Sequence, residues 1–173
     1  QSLNDWNVAS VTHMGTMFKE ATNFNQPLDD WNVASVHYMG SMFRFAFNFN
    51  QSIDDWDVAS VTAMNEMFFK ATEFNQPLDD WNVASVTTMS NMFKQADDFN
   101  QCLSTWAGKT PPNVNVGSSI FAFSGCPDSD PSAWCCAAPS ATPSTVPSTV
   151  LSNMPSVQPS TLLSDLPSAY PSE

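Results

Sequence analysis

The sequence predicts an α/β solenoid with one short strand and one short helix per 25-residue coil, followed by a disordered Pro/Ser/Thr tail. Three observations predict it. Trp6, Trp31, Trp56, Trp81 and Trp106 recur at a step of 25 residues. Within each copy the apolar spacing changes from strand-like to helical. After Cys136 the composition changes to proline, serine and threonine. Self-similarity at this period is the mark of stacked repeats, in which no unit buries its apolar face alone.

The other columns keep the same step. Val33, Val36, Met39, Met42, Phe43, Ala46 and Phe49 each have equivalents one period before and after. Leu28-x-x-Trp31-x-Val33 reads as a short strand with one buried face. Met39, Met42, Phe43 and Ala46 fall at i, i+3, i+4 and i+7, one face of a helix. Ser35 is a candidate cap for that helix. The two methionine columns read as core filler at this spacing, not as a metal or redox stripe. The tryptophan column reads as core. Asn25, Asn50, Asn75 and Asn100 form a further column, expected to satisfy backbone groups of neighbouring coils. Asn50-Gln51-Ser52 matches a glycosylation acceptor, but membership of the ladder predicts a buried Asn50.

Residues 1–127 are assigned to the repeat solenoid, about five coils with the last as C-terminal cap. Gln1 aligns with Gln26, Gln51, Gln76 and Gln101, so the chain opens inside a repeat; this predicts a fragment or processed product with further repeats upstream. The fifth unit holds three extra residues between Trp106 and Phe121, around Gly108-Lys109-Thr110-Pro111-Pro112. Gly125 before Pro127 is a helix-stop signal. Residues 128–136 extend this cap and carry cysteines. Cys102, Cys126, Cys135 and Cys136 are disulfide candidates with three possible connectivities, and a Cys102–Cys126 staple would close the cap. Disulfides imply an oxidising compartment. Residues 137–173 place Pro-Ser on a four-residue grid. That spacing forbids helix and central strand and favours an extended stalk or linker.

The repeat line W-N-V-A-S-V-T-x-M-x-x-M-F-x-x-A-x-x-F-N-Q, clearest from Trp81 to Gln101, resembles the BspA-like leucine-rich-repeat surface proteins. The resemblance covers residues 1–127 and implies a surface-exposed α/β leucine-rich-repeat domain. It also implies adhesion or protein binding, and it carries over no catalytic residue. The Pro-Ser-x-x runs more weakly resemble linkers of secreted and cell-wall proteins.

The chain has 17 acidic and 5 basic residues, a formal net charge of −12. This argues against nucleic-acid binding, which needs a basic footprint. If Leu, Trp and Val point inward, then Asp30, Asn32, Asp55, Asp57, Asp80 and Asn82 line the outward sheet surface. Such a face suits a basic partner or divalent cations. A calcium β-roll is excluded, because it needs a glycine-rich repeat and the chain has five glycines. Phe45, Phe47 and Phe69 lie outside the core columns, with Arg44 beside them, and are candidates either for partner or glycan contact or for packing under the loop after the helix. Lys19, Arg44 and Lys94 share one column and moderate the negative field.

No catalytic residue, cofactor site or metal site is expected. His13 and His37 fall 24 residues apart without a third ligand, and groups present in every copy read as structural. No apolar run is long enough to span a membrane. The expected protein is extracellular or on the cell surface and binds an unknown protein or glycan through its scaffold. The rival is a cell-wall or matrix spacer without a specific ligand.

Overall fold

The structure, a computed structural model, describes residues 3–117, 119–127 and 130–136. The expected stalk, 137–173, and cap residues 128 and 129 lie outside the described residues. Within these bounds the α/β prediction is corrected. The regular elements among the described residues are a one-turn helix, α1 (Trp106–Lys109), and a 3-10 turn, Pro131–Ala133. There is no strand and no sheet among the described residues, only isolated parallel bridges. The leucine-rich-repeat solenoid, with a strand and a helix in each coil, is therefore not the architecture.

Each 25-residue copy is instead a rung of consecutive tight turns. In the second rung, Trp31 N–H donates to Leu28 C=O at 3.2 Å and Val36 N–H to Val33 C=O at 2.8 Å. Met42 N–H donates to Met39 C=O at 3.2 Å, and Ala46 N–H to Phe43 C=O at 3.0 Å. The expected strand is thus bent at Asp29-Asp30, residues suited to turn centres. The expected helix is two four-residue turns. Their third residues, Ser41 and Phe45, have φ of 57° and 60°, as type II turns demand. Thr16 and Glu20, Glu66 and Lys70, and Asn91 and Gln95 repeat the arrangement.

The helix loses because its N–H groups are used elsewhere. Met39, Ser41, Phe43 and Phe45 donate to Ala63, Asn65, Met67 and Phe69 C=O of the next rung at 2.8–3.0 Å. A helix would turn each of these donors back on its own i−4 carbonyl. Left-handed backbone costs about 1–2 kcal/mol for an L-residue. Against two such residues, the second rung buries Leu28, Trp31, Val33, Val36, Met39, Met42, Phe43 and Phe49, and full burial of a large apolar side chain is worth roughly 1.5–3 kcal/mol. Packing wins. The bridges His13–Tyr38, Tyr38–Ala63, Ala63–Thr88 and Thr88–Asn115 stay single, because a turn begins immediately after each. Ser35, offered as a helix cap, donates its hydroxyl to Ala9 C=O of the rung before at 2.8 Å.

Like residues stack on like. Phe43 lies 5.6 Å from Phe68, and Phe68 lies 5.5 Å from Phe93. Trp31 lies 6.4 Å from Trp56. The Trp56, Trp81 and Trp106 indole N–H groups donate to Leu28, Ile53 and Leu78 C=O at 2.9–3.0 Å. The asparagines form the expected ladder: Asn50 Oδ1 accepts from Asn75 N–H at 3.0 Å and from Gln76 Nε2 at 2.8 Å. Asn50 itself is half-buried.

The final rung differs. Helix α1 occupies the three-residue insertion, and Phe121 returns to the phenylalanine stack, 5.7 Å from Phe93. A Cβ on Gly125 would stand 2.6 Å from the Asp97 carbonyl oxygen. Close backbone approach, not a helix end, is thus why a glycine sits there. The cysteines pair as Cys102–Cys136 and Cys126–Cys135, so the direct Cys102–Cys126 staple is not formed. The pairing draws Trp134 over the core edge-on to Trp106, and its C=O accepts from Leu103 N–H at 2.9 Å.

Candidate functional site

The acidic column has no sheet to line. Asn32, Asp57 and Asn82 each use Oδ1 to accept the N–H two residues ahead, of Ala34, Ala59 and Ala84, at 3.1–3.2 Å. These are Asx turns that fix the bend after tryptophan. Asp30 accepts from Asn4 Nδ2 at 3.2 Å, while Asp55 and Asp80 are exposed. Asp79 accepts from Thr105 N–H at 2.9 Å. The predicted outward surface is therefore half turn scaffold and half solvated carboxylate. Among the described residues no three His, Cys, Asp or Glu side chains converge where a metal ion could sit. His13 shares a 2.9 Å hydrogen bond with Thr12 Oγ1, and His37 Nδ1 lies 2.8 Å from Ser35 C=O.

The aromatic candidates do come together. Phe45 and Phe69 meet edge to face at 5.5 Å, and Phe45 and Phe47 at 6.2 Å. Phe45 and Phe69 are half-buried and Phe47 is 37% exposed. Neither Phe45 nor Phe69 enters the core, because each stands on the outer row of its rung, where a type II turn directs side chains away from the methionine and phenylalanine stack. The Arg44 guanidinium lies 4.6 Å from the Phe45 ring centre and 5.1 Å from that of Phe69. Lys70 Nζ stands 5.5 Å from the Phe45 ring. Arg44 Nε pairs with Glu66 Oε2 at 3.2 Å, and Ser41 Oγ donates to the same oxygen. Cations over aromatic faces are worth about 0.5–1 kcal/mol each at exposed sites, so part of this cluster holds itself in place.

Lys70, Glu66 and Phe123 escaped the sequence reading. Phe123 is 77% exposed. With the three-residue insertion removed it aligns with Phe45, Lys70 and Gln95, and its φ of 58° matches theirs. Counting the insertion would have placed it.

A hollow of about 470 Å³ lies at the cap, lined by Pro111, Pro112, Val114, Val116, Pro131 and Trp134 among others. At its rim Asp130 accepts from Ser132 Oγ and N–H, which holds its carboxyl below the usual range. No helix among the described residues is long and apolar enough to cross a membrane.

No curated protein and no solved structure matches this chain. One family does, over residues 1–52 and again over 35–134. Together these matches run over residues 1–134, the stack of rungs and the start of its cap, so the chain belongs to the family described as Mycoplasma protein of unknown function, DUF285.

Proposed function

We propose that this chain is an extracellular or cell-surface interaction module that binds a protein or glycan partner. The observation that carries the proposal is the surface cluster of Phe45, Phe47 and Phe69 crossed by Arg44. The core columns account for the other repeated aromatics, but no core position requires these three. Two disulfides, Cys102–Cys136 and Cys126–Cys135, support an oxidising compartment. The resemblance of the repeat line to BspA-like surface proteins points the same way.

The experiment is a binding screen of the full chain on glycan and protein arrays and on intact cells. Saturable binding that falls when Phe45 and Phe47 become alanine, and persists when Asp55 and Asp80 become asparagine, is the expected result. Absence of any saturable ligand would favour the rival, a matrix spacer that coats or separates without a specific partner.

A further inference from the structure

Asn50-Gln51-Ser52 is the only Asn-x-Ser/Thr stretch in the 173 residues. The other ladder asparagines are followed by Gln26-Pro27, Gln76-Pro77 and Gln101-Cys102, so none has a hydroxyl two residues on. Ser52 takes the place of Pro27 and Pro77 and is exposed. Membership of the ladder predicts a buried Asn50 whose side chain is fully used. The structure divides that side chain in two. Oδ1 accepts from Asn75 N–H at 3.0 Å and from Gln76 Nε2 at 2.8 Å. Both partners are donors, which fixes the orientation of the amide: the oxygen serves the next rung and Nδ2 takes the other position. The backbone is held as well. Asn50 N–H donates to Asn25 Oδ1 at 3.0 Å, and Asn50 C=O accepts from Gln76 Nε2 at 3.1 Å. Among the described residues nothing accepts from Asn50 Nδ2, and this nitrogen is not one of the sealed polar atoms left without a partner. In a half-buried residue such an atom meets water.

We propose that Asn50 is an N-glycosylation acceptor, carrying its glycan on Nδ2 while Oδ1 keeps its place in the ladder. The proposal rests on the extracellular reading, because this modification belongs to secreted and surface proteins. The donor is a lipid-linked oligosaccharide diphosphate. In the transfer the bond from Nδ2 to the first sugar carbon forms, the bond from that carbon to the diphosphate oxygen breaks, the lipid diphosphate leaves, and Nδ2 gives up one proton. The oxygen keeps both lone pairs, so the bonds from Asn75 N–H and Gln76 Nε2 survive the change. The acceptor needs Ser or Thr two residues on, and Ser52 supplies it. The Ser52 hydroxyl donates to Asp54 Oδ1 within its own turn, so no neighbouring rung requires a serine there.

The test sends the full chain through the secretory pathway of a eukaryotic cell behind a cleavable leader. Peptide-N-glycosidase then removes any glycan and leaves aspartate at the linked position, so peptide mass mapping reads occupancy at residue 50. The expected result is a glycan on Asn50 in most molecules. Ser52→Ala, which keeps the ladder, should lose it, and Ser52→Thr should keep it. The glycosylated chain should unfold at the same urea midpoint as Ser52→Ala or at a higher one, since the ladder is intact in both. Three results would overturn the proposal: a secreted, disulfide-bonded chain with Asn50 bare, a glycan on Asn50 that persists in Ser52→Ala, or a lower urea midpoint for the glycosylated chain. The first of these leaves the extracellular reading standing. Failure of that reading shows separately, as retention of the chain inside the cell with its cysteines reduced, and it would remove both.

Discussion

Replacing Asn50 by alanine should show how much the asparagine ladder contributes. Asn50 Oδ1 accepts two bonds from the next rung, from Asn75 N–H at 3.0 Å and Gln76 Nε2 at 2.8 Å. Each such bond is worth a net of about 0.5–1.5 kcal/mol. Asn75 is half-buried, so its N–H would be left in a seam that water reaches only in part, at a cost within the 1–3 kcal/mol of an unsatisfied group. The backbone bond from Asn50 N–H to Asn25 Oδ1 at 3.0 Å survives the change. We expect a loss of about 1.5–3 kcal/mol, or about 5–10 °C in Tm. Urea unfolding followed by tryptophan fluorescence measures it. Asn50→Asp keeps the acceptor oxygen and should stay within about 1 kcal/mol of the parent. A loss below about 0.5 kcal/mol for Asn50→Ala would refute the ladder's role. Equal losses for alanine and aspartate would show that acceptance is not what matters, since aspartate keeps both the shape and the acceptor oxygen of asparagine.

Three further perturbations test other parts of the fold. Gln95→Gly relieves a left-handed residue with φ of 58°, so after glycine's own entropy cost it should raise stability by about 0.5–1 kcal/mol in chemical unfolding. Gln95→Val should instead lower it. Removing the Cys102–Cys136 bridge, which spans 34 residues, should cost about 3–4 kcal/mol on the loop-entropy estimate, seen as a lower urea midpoint for the Cys102→Ser/Cys136→Ser pair. The Ser132 hydroxyl and N–H hold the Asp130 carboxyl below its ordinary value. Its folded-state pKa is therefore the lower one, and its contribution is present above the ordinary carboxyl range and fades as the pH falls through the folded value. An NMR titration should show the Asp130 carboxyl protonating at lower pH than in the Ser132→Ala variant.

Leu28, Trp31, Met39, Met42, Phe43 and Ala46 show why the core was legible in the sequence and the backbone was not. Periodicity reports which side chains share a side, not which hydrogen bonds join them. The spacing i, i+3, i+4, i+7 marks one face of a helix, but it also marks the ends of two consecutive four-residue turns, Met39–Met42 and Phe43–Ala46. Serine, glutamate and phenylalanine at the left-handed positions gave no warning, because none of them favours that conformation. The first half of the repeat did carry a signal. Leu28 to Trp31 is a step of three, which a strand cannot place on one face, and Asp29-Asp30 between them is turn chemistry. The Asx role of Asn32, Asp57 and Asn82 was readable from the same stretch. The gathering of Lys70 with Phe45 was not, since it joins adjacent columns of adjacent rungs.

By itself the sequence determined the 25-residue period, the identity of the buried columns, the asparagine ladder and the oxidised end of the chain. Each of these follows from which residue type recurs where, and burial acts on residue types. The tertiary structure alone decided that the rungs are turns without strands or helices, because donors such as Met39 N–H and Ser41 N–H are satisfied by the next rung at 3.0 and 2.8 Å and no local preference records that choice. It also decided the pairing of Cys102 with Cys136. The convergence of Arg44, Phe45, Phe69 and Lys70 on one edge was likewise its doing, since all depend on which rung lies against which.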